Sequence, residues 1–161
     1  MLLASADTHQ QFAAEETFII QLLAQSRYAE AYILLKQESP NQPATQYNLA
    51  LCYYQNQYYR EAIACLDKTL AILPLSDRAN INTDQFYNAI RQQQNQHDDH
   101  LLGVTKKYIS FFGDTFRDTI TRLKTDCWLQ LGDYAKVIET ATPIAHKSYK
   151  NIAKALSIAK N

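Results

Sequence analysis

Apolar and polar positions along this chain recur with the period of an α-helix, broken at intervals by short polar turns. From Phe12 the apolar residues Ile19, Ile20, Leu22 and Leu23 follow helical spacing up to Gln25. A second helix is predicted from Tyr28 to about Glu38. It ends at Ser39-Pro40, because the residue before a proline is pushed out of the helical region. Tyr47, Leu49, Ala50, Tyr53 and Tyr54 mark a third helix, and Tyr59 to Leu73 a fourth, closed by Pro74.

Residues 75–97 are less regular. LSDRANINTDQF reads as a connection, with Thr83 or Asp84 as a helix N-cap before Phe86, Tyr87 and Ile90. A glutamine-rich run then fades into polar sequence. DDHLLGVTKKYISFF predicts another helix capped by Asp98 or Asp99, and Gly113-Asp114 breaks it. Phe116, Ile120, Leu123, Cys127, Trp128 and Leu131 carry a helix to a Leu-Gly-Asp turn. A last helix from about Ser148 sets Tyr149, Ile152, Ala153, Leu156 and Ala159 on one face and Lys150, Lys154 and Lys160 on the other.

Three stretches share one order: QSRYAEAYILL at 25–35, NQYYREAIACL at 56–66 and LGDYAKVIETA at 131–141. Aligned on Tyr28, Tyr59 and Tyr134, they carry Ala31, Ala62 and Val137 three residues later, then Leu35, Leu66 and Ala141 four beyond those. Residues four apart share a helix face, so each set opens a helix that packs closely on a neighbour. With the amphipathic segment upstream of each turn, the recurring unit is helix, tight turn, helix.

The segment QYNLALCYYQNQYYREAIACLDKTLAILP, residues 46–74, resembles a tetratricopeptide repeat. Leu49, Ala50 and Tyr53 match its first helix, Tyr59, Ala62 and Leu66 its second, and Pro74 its closing proline. Gln46 stands in place of the usual large aromatic and Thr69 in place of the second small residue. Phe18, Leu22, Tyr28, Ala31 and Leu35 match in the first unit, and Trp128, Gly132, Asp133 and Tyr134 in a later one. Ala31 to Ala62 is 31 residues, short of the family's period of about 34. Tyr59 to Tyr134 is 75 residues, which leaves room for a divergent helical pair between. The resemblance implies an all-α, right-handed superhelix of antiparallel helical hairpins with a C-terminal capping helix. Residues 1–161 then form one domain, with units at about 12–40 and 44–74, a divergent pair at 83–112, a unit at 115–145 and a cap at 148–160.

In that family the first helix of each hairpin faces a concave groove where peptides bind. Carried over, the groove positions are Tyr47, Leu51, Tyr54 and Gln55 on the best repeat. They are Glu16, Ile20 and Leu23 on the first, and Arg122, Asp126, Leu129 and Gln130 on the later one. Repeats that clamp a carboxylate tail need Lys and Asn at set positions. Asn48 fits one, but Glu16 and Ile20 occupy others, which argues against a clamp. Whether neighbouring helices fill the groove is open at this point.

Sixteen basic residues balance sixteen acidic ones, so no excess positive charge is present to neutralise a phosphate backbone. MLLASADTHQ lacks a basic leader, and no apolar run is long enough to span a membrane, so a cytoplasmic protein with no nucleic-acid or membrane partner is expected. Cys52, Cys65 and Cys127 show no CxxC spacing and read as reduced, packed thiols. The best catalytic or metal candidate is HDDH, His97 to His100, whose two histidines at i and i+3 could share zinc or nickel with an aspartate. The competing reading makes Asp98 and Asp99 caps beside exposed histidines, with no cofactor. Lys147, Lys150 and Lys154 read as a solvated face. Eleven tyrosines and six phenylalanines suit an apolar recognition strip. The function expected is a non-catalytic protein-interaction module that holds a peptide or helix in its groove. Its rivals are a small secretion-type chaperone, a metal or enzymatic role at His97–His100, and a homodimer through the groove or the Phe111-Phe112 edge.

Overall fold

The computed structural model describes residues 2–75 and 83–161, without the side chains of 2–7, 9, 12 and 13. The connection read into residues 76–82 and the side chain of Phe12 lie outside the described residues. Among those residues there are nine α-helices and no strand. They are α1 (Leu2–Ala24), α2 (Tyr28–Leu35), α3 (Pro43–Gln55), α4 (Tyr59–Ile72), α5 (Gln85–Gln94), α6 (Lys106–Phe111), α7 (Gly113–Gln130), α8 (Tyr134–Ala141) and α9 (Lys150–Lys160). Short 3-10 helices span Asp99–Leu101 and Thr142–Lys147. α1 starts ten residues before the Phe12 from which its period is readable, since good helix formers and no glycine or proline lie upstream of Ala24.

The repeat seen in the sequence is a repeat of backbone geometry. Ser26, Gln57 and Gly132 each stand two residues before the aligned tyrosine, and each is left-handed, with φ of 59°, 66° and 72°. At each site the same two hydrogen bonds close the helix. Ser26 N donates to Leu23 O and Arg27 N to Leu22 O; Gln57 N donates to Tyr54 O and Tyr58 N to Tyr53 O; Gly132 N donates to Leu129 O and Asp133 N to Trp128 O. This is the helix stop in which a left-handed residue lets two orphan carbonyls be satisfied. The next helix then leaves antiparallel, and Ala31, Ala62 and Val137 sit fully buried where it crosses the first.

The hairpins stack in sequence order with one departure. α1 packs on α2, α2 on α3, α3 on α4, α4 on α7, α7 on α8, and α9 covers both α7 and α8. The helical pair expected at 83–112 is therefore not a member of the stack: α4 meets α7 directly, and 83–112 is an insert. A regular step of about 34 residues accounts for part of the 75 between Tyr59 and Tyr134, and about 41 remain for the insert. Neither helix of the insert has a buried residue, and Phe86, Tyr87 and Ile90 of α5 stay exposed.

The single helix expected over 98–112 is also corrected. It is a 3-10 turn at Asp99–Leu101, then extended chain, then α6, whose cap is the Thr105 side chain accepting from Tyr108 N at 3.0 Å. At the C-terminus, α9 buries Ile152, Ala155 and Leu156 rather than Ala153. All three cysteines are free, and burial raises the thiol pKa of Cys52 and of Cys127 to about 12.

Two of the three left-handed turn positions are not glycine, so each carries a Cβ strain of about 1 kcal/mol. Gln57→Gly is expected to raise unfolding stability by roughly that amount and Gly132→Ala to lower it comparably, read from urea denaturation midpoints.

Candidate functional site

The insert lies against the face of the stack that α3 and α7 present. After α5 the chain runs from Asn95 to Val104 across the first helices of the hairpins, and side chains of those helices hold its main chain. Asn48 on α3 pairs with both polar groups of one residue: Asn48 Nδ2 donates to Val104 O, and Val104 N donates to Asn48 Oδ1, each at 2.9 Å. The Tyr47 hydroxyl, fully buried, donates to the His100 carbonyl. Arg122 on α7 donates from a terminal guanidinium nitrogen to the His97 carbonyl at 2.7 Å. None of these contacts reads the identity of the residue whose backbone it binds.

Side chains of the segment enter the stack as well. His100 is 1% exposed, and its Nε2 donates to Asp126 Oδ2 at 2.6 Å. Leu101 is half-buried, Leu102 points to solvent, and Val104 is buried. At Gly103, a Cβ would lie 2.8 Å from the Cδ1 atoms of both Ile20 and Leu23. Glu16 on α1 accepts from Lys106 N at 3.2 Å, beside the start of α6.

Three charged residues of α7, at 118, 122 and 126, fall on one helix face and are buried or nearly so. Asp118 accepts from the Tyr149 hydroxyl at 2.6 Å and from Lys147 Nζ at 2.8 Å. Arg122, 1% exposed, donates from Nε to Asn151 Oδ1 at 2.7 Å and lies 4.6 Å over the Tyr149 ring. Asp126 also accepts from Asn151 Nδ2 at 2.9 Å. Burial pushes the hydroxyl pKa values of Tyr47, Tyr54 and Tyr149 up, the last with help from Asp118, so Tyr47 and Tyr149 act as neutral donors. Burial also lowers the Arg122 pKa, though a guanidinium stays charged.

Of the groove positions carried over from the sequence, Tyr47, Arg122 and Asp126 hold the insert, and Ile20 and Leu23 flank Gly103. Leu51 is buried in the core. Tyr54 is half-buried, edge-on to Tyr59 at 5.6 Å between centroids, Leu129 is half-buried and Gln55 is exposed. The reading of both HDDH histidines as exposed is corrected: His100 is in the core of the site, because Asp126 supplies its partner and the 3-10 turn aims it inward. Lys147 is likewise tied to Asp118 rather than simply solvated. Among the described residues, no three His, Cys, Asp or Glu side chains gather as a metal site would need, and no helix is long and apolar enough to cross a membrane. The sequence marks Asn48 only as a carboxylate-clamp position and His100 only as a metal candidate, and it gives no sign of Asn151 or Tyr149 at this site. The available signal was Asn48 itself, an amide amid Tyr47, Leu49, Ala50 and Leu51.

Residues 22–80, which span α2, α3 and α4, match a family model described as tetratricopeptide repeat. That part of the chain is similar to tetratricopeptide repeats. Searches of curated proteins and of solved structures returned no significant match. The α7–α8 hairpin lies outside the matched residues yet repeats the tetratricopeptide turn bond for bond and packs on α4 as the next hairpin. Tetratricopeptide repeats are in general modules for protein–protein interaction.

Asn48→Ala leaves the N–H and C=O of Val104 buried without these partners, a loss of about 2 kcal/mol or more. The expected readout is a lower urea midpoint together with faster amide hydrogen exchange at Val104, while amides of α8 keep their relative protection.

Proposed function

We propose that this chain is a non-catalytic protein-interaction module whose concave groove takes an extended segment of main chain. In the state described, its own residues 97–104 fill that groove, and a partner binds by exchange against them. The observation that carries this reading is the double hydrogen bond of Asn48 with Val104, which treats the segment as a bound peptide would be treated. The flanking helices α5 and α6 have no fully buried residue, so release of the segment would have to break mainly the half-buried packing of Tyr108 and Ile109 and the hydrogen bonds of the segment itself. A non-catalytic role suits a histidine–aspartate pair whose ring is shut away from solvent.

The test uses a fluorescein-labelled peptide of residues 96–106 and the full chain. In Val104→Asp, a buried carboxylate expels the internal segment. The peptide should bind this variant at least about tenfold more tightly than wild type, because apparent affinity scales with the fraction of open groove. Adding Asn48→Ala should remove that binding. His100→Ala serves as a second opened variant, and circular dichroism checks that each keeps its helices. Absence of peptide binding to both folded variants overturns the proposal.

A second reading has its own observation. Phe111 is 65% exposed and Phe112 44%, beside a cavity of about 490 Å³ that Ile72, Leu73, Pro74 and Ile109 help to line. Self-association through this edge predicts a dimer by light scattering that Phe111→Glu returns to monomer. A monomeric wild type at about 100 μM sinks it.

A further inference from the structure

We infer that the groove is selective for an extended partner segment of the form His-x-x-Gly-Val, the pattern of residues 100–104 that now fills it. This rests on the exchange reading above and adds to it a preference for side chains.

The histidine position is set by charge. Emptying the groove would strip Asp126 of its 2.6 Å donor and Arg122 of the carbonyl three residues before it, leaving both charges underpaired in a buried site. A segment that displaces the insert must replace both partners. The carbonyl is available from any peptide, and at residue 100 the donor that reaches Asp126 is a side chain, the imidazole Nε2. A lysine or arginine would bring a second cation beside Arg122, whereas a neutral imidazole donates without adding charge. The pocket is also closed around the ring, with Tyr47 holding the carbonyl of the same residue.

The glycine position is set by space. Ile20 and Leu23 approach residue 103 so closely that a Cβ would stand 2.8 Å from each. Both contacting atoms are side-chain tips, so a methyl group is accommodated by small shifts while a larger side chain is not. The valine position combines the Asn48 pairing with a buried side chain, and a β-branched residue favours the extended backbone needed there. Between them, Leu102 is 59% exposed, which leaves the second x position unread.

The test titrates the opened full-length Val104→Asp and His100→Ala chains with five labelled peptides. These are the 96–106 sequence itself, the same peptide carrying His100→Ala, Gly103→Leu or Val104→Asp, and a Leu102→Ala control. The first three substitutions should each weaken binding about tenfold or more, and the control by less than about twofold. If all five peptides bind alike, the selectivity is overturned while the exchange reading stands. If none binds either opened chain, the exchange reading itself has failed. If an opened chain binds only wild-type protein and no peptide, the occupant is a second copy's insert, and recognition of another partner is overturned.

Discussion

Three charges on one face of α7 organise the centre of this molecule. Asp118, Arg122 and Asp126 recur every fourth residue of a helix that packs on α4, α8 and α9, and so they are carried into the interior. A buried charge without partners costs several kcal/mol, so groups elsewhere in the chain must reach it. None of the hydrogen-bond partners that do so comes from α1 to α4. His97 and His100 come from the insert; Lys147, Tyr149 and Asn151 come from the C-terminal cap. The two groups are pinned to each other through Asn95, which donates to Lys147 O, accepts from Lys150 N and holds Arg91. Insert and cap are therefore parts of one solution to the same electrostatic demand, and the hairpins alone would not meet it.

The hairpins were legible in the sequence because their determinants are local. A helix stop depends on residues within five of each other, and the aligned Tyr28, Tyr59 and Tyr134 report where each stop lies. The small residues at the crossings, Ala31, Ala62 and Val137, are legible for the same reason: a helix crossing needs a small side chain at a fixed distance past the turn. The insert was not legible, since its decisive contacts come from far away. DDHLLGVTKKY has helical spacing, yet an amide 56 residues upstream claims both main-chain groups of Val104 and holds the segment extended. Spacing arithmetic alone could not decide either, because 75 residues between aligned tyrosines accommodate an extra hairpin or a long excursion equally well.

The groove positions show a similar division. Family register gives the direction a side chain takes from its helix, so Tyr47, Arg122 and Asp126 do face the insert. Register does not give depth, and Leu51 is simply core. Depth was encoded elsewhere. α3 is buried without a gap from Ala44 to Cys52, and yet it contains Thr45, Gln46 and Asn48. Polar side chains on a helix covered all round must each find a partner. Gln46 donates to Pro40 O at 2.8 Å, and Asn48 finds Val104. An amide placed in such a helix is a statement that some other backbone passes close by.

An apolar client of the kind a chaperone shields offers no side-chain donor to Asp126, and unless one of its main-chain N–H groups reached that carboxylate, Asn151 alone would be left to it. A purely hydrophobic strip would welcome many such segments; this face carries Asn48, Arg122 and Asp126 beside Tyr47, and each polar group needs a partner. Its polar groups are satisfied now, so any competitor is compared against a segment that already fulfils them. Binding is then decided by how well the replacement restores each lost hydrogen bond, more than by the apolar area it covers. On the exchange reading the site is tuned against casual occupancy, with the internal segment as the standard an external one would have to meet.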